Sequence, residues 1–213
     1  MTNFIVIQFL FILMGVISIG DPPADIKDYG KWQEARNSNG VKSYVRWLMR
    51  DEKITYRERR GEMDIRCTHQ EAVKVLSNPQ YTPEWMAGIE ESRFLGNPGK
   101  NEWYTYTVFS MPWPFNKRDL VSLNKVASDP IKGIAHIEMN CKEDYLPLQK
   151  DILRLTDYKA HWKIVKINEN NIHITFIAES STPPAFPRYI QDPVIEKLFH
   201  NNLVRLKKLL EEN

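Results

Sequence analysis

Apolar and polar residues alternate with period two over much of the chain from position 41 to 179, and that spacing predicts strands. Residues 41–48 and 54–64 read as the first two, the second broken near Gly61. From Ile89 the pattern is strongly β. Residues 89–96 and 102–110 are joined by a turn at Asn97-Pro98-Gly99, and 120–127 and 134–141 by Asp129-Pro130 and Gly133. Residues 158–168 and 171–179 form a hairpin across Glu169-Asn170. Alternation also assigns faces. Ala135, Ile137 and Met139 share one side, with His136, Glu138 and Asn140 on the other. Ala160, Trp162 and Ile164 match Ile172, Ile174, Phe176 and Ala178 on the last strand, whose other face holds His173, Thr175 and Glu179.

Helical spacing is sparser. Residues 29–36 read as a short helix burying Trp32, and Thr68 caps a helix over 69–77 with Val73 and Leu76 on one face. Pro79 ends that helix, and 83–86 adds a helical turn carrying Trp85. The last segment is the longest. Asp192 is its expected N-cap and Pro193 its first residue. Running to Glu212, it spans about 30 Å. Ile195, Phe199, Leu203, Leu206 and Leu210 make one apolar stripe along it. Consecutive antiparallel strands with a segregated helix define an α+β domain. The apolar sheet face and the helix stripe must cover each other, and an incomplete fit leaves a cavity.

Composition adds limits. In 213 residues, 42% are hydrophobic, which supports one large domain. Lys and Arg number 29 against 27 for Asp and Glu, so no basic face for nucleic acid is expected. Arg57, Arg59 and Arg60, interrupted by Glu58, read as a solvated strand face. Residues 4–19 are almost wholly apolar, and no charge precedes Asp21. As a helix they reach about 24 Å, short of a bilayer core of about 30 Å. With Ser18 and Gly20 ahead of Asp21, residues 1–20 read as an export signal peptide and 21–213 as the mature domain. An uncleaved anchor at 4–19 is the alternative. Cys67 and Cys141 fit neither a metal site nor a redox motif and do not demand a disulfide. The five histidines lack metal-ligand spacing, and no nucleophile or phosphate-loop motif is present.

Several segments together resemble the START (StAR-related lipid-transfer) family over roughly 32–212. They are Asn39-Gly40-Val41-Lys42-Ser43-Tyr44 with Arg46, the helix with Trp85 after it, and Lys117-Arg118-Asp119-Leu120-Val121. Pro147 with Arg154 and the segment 183–190 before the last helix complete the set. The chain departs from the family at Met86, Lys117 and Asn124, and the last of these removes the basis for a sterol ligand. The resemblance implies a helix-grip fold: a curved antiparallel β-sheet wrapped around a long C-terminal α-helix, enclosing a hydrophobic tunnel. It implies binding and transfer of one lipid, without chemistry or cofactor. The alternatives are a helix-grip enzyme of the polyketide cyclase or aromatase type and a ligand-sensing module.

Alternation leaves the phase of 103–109 open, with Trp103, Thr105, Thr107 and Phe109 on one face and Tyr104, Tyr106 and Val108 on the other. Under the family reading the tunnel is lined by the first set with Leu120, Ser122, Asn124, Ala135, Ile137, Met139, Trp162, Ile164, Ile174 and Phe176. Phe186, Tyr189, Ile190, Ile195, Phe199 and Leu203 form a lid. Thr105, Thr107, Ser122 and Asn124 are the candidate head-group contacts. Residues 111–115, Met-Pro-Trp-Pro-Phe, suit a transient contact with a membrane surface.

Overall fold

The computed structural model describes residues 30–50, 54–110, 117–180 and 187–212. The expected signal peptide, the 111–115 loop and Phe186 lie outside them. Ten strands and three helices follow in order: β1 (Gln33–Ser38), β2 (Val41–Arg50), β3 (Ile54–Ile65), α1 (His69–Ser77), α2 (Thr82–Trp85), β4 (Ile89–Gly99), β5 (Glu102–Phe109), β6 (Arg118–Asp129), β7 (Ile134–Cys141), β8 (Leu153–Arg154), β9 (Tyr158–Asn168), β10 (Asn171–Ser180) and α3 (Arg188–Glu212). The sheet runs β1-β2-β3-β10-β9-β7-β6-β5-β4, with β8 attached parallel to β6. It is curved and open, and α3 lies against its concave face. The join of β3 to β10 unites the two halves of the chain, pairing Ile172 with Ile65 through to Ser180 with Arg57.

Four expectations change. Residues 33–38 form β1, not a helix. Asn39 and Gly40, with φ of 52° and 70°, make a two-residue turn that folds this segment onto β2. A ladder of cross-strand bonds outweighs the weak periodicity of so short a helix. Gly61 does not break β3. It lets α3 approach, because a Cβ there would stand 2.0 Å from Leu203 Cδ1. β4 extends through Asn97-Pro98-Gly99, and the turn falls one step later at Asn101, where φ is 62°. Finally, α3 starts at Arg188, so Asp192 and Pro193 lie inside it rather than at its cap.

Other features match their expected roles. Glu71 N donates to Thr68 Oγ1 at 3.2 Å, capping α1. That helix buries His69, Ala72 and Val75, with Val73 and Leu76 half-buried beside them. The main core lies between the concave sheet face and all three helices, around Ile65, Val75, Ile164, Ile174, Leu206 and Leu210. A smaller cluster, Tyr106, Val108 and Val121, covers the convex face. Arg154 enters this side and donates to Asp119 Oδ1 at 2.7 Å and Oδ2 at 2.9 Å. Cys67 and Cys141 are free, half-buried thiols, and burial pushes Cys67 up to about 11.

Candidate ligand-binding site

Strand register sorts the concave face into layers. Val41, Met63, Ile174, Ile164 and Ala135 form one low layer, above the pair of Ile65 with Ile172, and all are at most 3% exposed. Phe176, Trp162 and Ile137 lie above them, and none exceeds 5%. One layer higher, Ala178 faces Ala160 across β9–β10, and Ala160 faces Met139 across β7–β9. Two alanines side by side leave room that larger side chains would fill. Around and above them Met139, Cys141, Tyr158, Arg57, Arg59, Trp47 and Ser180 all keep accessible surface although they point inward. The helix divides in the same way. Leu203, Leu206 and Leu210 are at most 1% exposed, whereas Ile195 and Phe199 are only half-buried. The interior is therefore sealed below, and above it several inward side chains keep partial exposure. Stacked rings form the floor of the space: Trp85 meets Trp162 edge-on at 5.8 Å, Trp162 stacks on Phe176 at 3.8 Å, and Phe176 on Phe199 at 5.6 Å.

The predicted lining residues distribute unevenly. Trp103, Thr105, Thr107, Leu120, Ser122 and Asn124 are buried on the concave side, and Phe109 is half-buried there. Ile164, Ile174, Ala135 and Leu203 lie in the sealed lower part, away from the open space. Trp103 also borders a separate cleft of about 720 Å³ that it shares with Pro79, Phe94 and Val126. Tyr189 and Ile190 do not line the space. In the first turn of α3 they are 77% and 45% exposed.

The candidate polar contacts bond mainly to one another. Thr105 Oγ1 and Ser122 Oγ are 2.8 Å apart. Asn124 Nδ2 donates to Thr105 Oγ1 at 3.1 Å and to Trp103 O at 3.2 Å. The three side chains thus satisfy much of their own desolvation cost.

The arginine cluster needs correction. Arg57 and Arg59 are not on a solvated face. They continue the inward phase of Ile65, Met63 and Gly61, and only Arg60 points outward, over the rings of Trp32 and Tyr44. Arg57 pairs with Asp192 at 3.1 Å and with Glu196, both on α3. Trp47 lies under both Arg57 and Arg188, at 4.6 and 4.9 Å. Sequence reasoning therefore missed Arg57, Arg59 and Asp192, although counting by twos from Ile65 finds the two arginines.

Below this cluster His200 ties α3 to β1 and β2. Its Nε2 lies 2.8 Å from Ser38 Oγ and its Nδ1 3.1 Å from Ser43 Oγ. Burial, and after it the charge of Arg36, lower its pKa. The unfolded chain then takes up a proton near pH ~6.5 that the folded chain resists. This contribution is complete above that pH and is lost as the pH falls towards the depressed folded value. His200→Gln should accordingly flatten the fall in urea midpoint between about pH 7 and about pH 5. An unchanged slope in the variant would contradict this role.

On the convex face, His136 Nδ1 lies 2.9 Å from His161 Nε2, and His173 Nδ1 lies 2.7 Å from Asp64 Oδ1. These rings, with Glu138, point away from the interior. Among the described residues no group of His, Cys, Asp and Glu is placed to hold a metal ion, and no helix is long and apolar enough to cross a membrane.

An open ten-stranded sheet, antiparallel except at β8 and curved around one long C-terminal helix, is a helix-grip fold. More narrowly, the chain has the START (StAR-related lipid-transfer) fold. It is similar to the crystal structure of a STAR-related lipid transfer protein fragment from Xanthomonas axonopodis, with a TM-score of 0.73, 26% identity, and coverage of 84% of this chain and 98% of that one. Human StAR-related lipid transfer protein 5 superposes with a TM-score of 0.72 at 13% identity, covering 87% and 89%. The Zhui aromatase/cyclase of Streptomyces shares the fold more distantly, with a TM-score of 0.53 and 10% identity over 73% of this chain and 94% of that one. An uncharacterized protein of Pseudomonas aeruginosa is 22% identical over 181 residues, 85% of this chain and 87% of its own. No protein-family model matches the chain.

Proposed function

We propose that this chain binds one lipid or similar hydrophobic molecule in the space above the Trp162–Phe176–Phe199 floor and carries it without chemical change. The observation that carries the reading is the split interior: sealed layers below, and inward side chains with accessible surface above. A mostly apolar cavity with a few placed polar groups is what a small hydrophobic ligand requires. The similarity to lipid-transfer proteins of the same fold supports it.

The half-buried stretch of α3 that includes Ile195 and Phe199 then serves as the lid, while the firmly packed Leu203–Leu210 end stays docked. Transient membrane contact through residues 111–115 and export through residues 1–20 complete the proposal. A cyclase-type enzyme on this scaffold needs acid–base groups facing the ligand. The outward phase of His136, Glu138, His161 and His173 argues against that alternative.

Native mass spectrometry of the purified mature protein, followed by solvent extraction, tests the carrier reading. A protein-bound mass near one lipid per chain is expected, released intact on extraction. Failure to bind any lipid after incubation with mixed vesicles would refute it.

A further inference from the structure

Among the described residues, guanidiniums outnumber carboxylates at the upper end of the interior. We propose that Arg59 holds the negatively charged head of the bound molecule, a monoanionic carboxylate or phosphodiester on a hydrocarbon tail. This inference rests on the lipid-pocket reading above and narrows it to a chemical class.

Three arginines and two acids meet here. Arg57 pairs with Asp192 and Glu196, and Arg188 Nη1 stands 3.9 Å from Asp192 Oδ1. Asp192 and Glu196 also act on Arg59, so three guanidiniums share two carboxylates. Arg59 lies on the inward face of β3, between Val45 of β2 and Ala178 of β10. Its Nε finds no hydrogen-bond partner among the described residues. Burial is the main influence lowering its pKa, and yet the side chain keeps accessible surface. The side chain thus sits within the curve of the sheet and keeps partial access to solvent.

A guanidinium offers five N–H donors in a planar fork. In an enclosed site, donors without acceptors are costly. An oxyanion accepts two of them side by side, which water or a neutral hydroxyl does less well. Tyr158 faces the same space from β9 and feels the charge of Arg59. Burial pushes its hydroxyl up to about 12, so it remains a donor at neutral pH. The tail is then directed down past Ala160, Ala178 and Met139 to the ring floor. A neutral sterol or diacylglycerol leaves Arg59 unmet, and a purely cationic head is repelled.

The test compares oleic acid with oleyl alcohol, which has the same tail and no charge, using tryptophan fluorescence and native mass spectrometry. The unaltered protein should bind oleate about tenfold or more tightly than the alcohol. Arg59→Gln should bring the oleate-to-alcohol affinity ratio close to one, and Arg59→Lys should keep part of the preference. Inorganic phosphate alone should not occupy the site at the oleate concentrations used; equal binding of bare phosphate would overturn a head carried on a tail. Vesicles of phosphatidylglycerol and of oleate-doped phosphatidylcholine separate the phosphodiester from the carboxylate. Equal affinity for oleate and the alcohol in the unaltered chain would overturn the anion site and leave the pocket intact. Binding of neither would overturn both. This comparison needs no variant, so it decides the matter even if Arg59→Gln does not fold.

Discussion

Gly61→Val should destabilise the domain by about 3 kcal/mol, at the upper end of what overpacking a core costs. For a domain of this size that is a fall in melting temperature of roughly 6–12 °C. The reason is geometric. A Cβ at position 61 would stand 2.0 Å from Leu203 Cδ1, and Leu203 is 1% exposed in the main core. Either β3 or α3 must shift, and α3 is the element that closes the interior. Thermal unfolding followed by circular dichroism measures the loss. Leu203→Ala in the same chain should recover part of it, because it removes the clashing methyl groups. A Gly61→Val protein that melts with the parent would show that α3 does not pack where the structure places it.

Arg154→Leu should cost about as much or more, on the order of 3–5 kcal/mol, because it strands Asp119 as a buried charge. Asp119 is 1% exposed. It accepts two bonds from Arg154 and a third from Tyr106 Oη at 3.2 Å. Arg154 also donates to the carbonyl oxygens of Glu143, Leu146 and Pro147 at 2.7, 3.0 and 3.2 Å. One guanidinium thus pins the irregular stretch after β7 against β6. Hydrogen exchange should show that stretch losing protection along with the drop in melting temperature. Replacing Asp119 as well, with Leu, should restore stability relative to the single variant, since the pair's desolvation cost disappears with it. Equal stability of Arg154→Leu and the parent would mean that this ion pair contributes nothing.

Much of this arrangement was legible along the chain. The faces of β7, β9 and β10 follow from counting by twos, and the stripe from Ile195 to Leu210 follows from helical spacing. Thr68 announced the cap of α1 through its position ahead of a helical run. The misreadings have physical causes. β1 is too short for its pattern to compete with the ladder it forms with β2. Tyr189 carries an apolar ring at a plausible lid position, but its burial depends on where α3 begins. Arg57 and Arg59 carry the inward phase of β3, yet charge argued for solvent, and the acids that pair with Arg57 lie far along the chain. Gly61 looked like an interruption because nothing local reveals a helix pressed against it.

Local periodicity set which segments become strands and helices and, in most of them, which side chains share a face, because it arises from neighbouring residues. Which inward side chains stay partly exposed, and which charges meet among them, followed from the packing of distant segments. The opposed Ala160 and Ala178, and the pairing of Arg57 with Glu196 across 139 positions, exist only once the sheet has curved around α3.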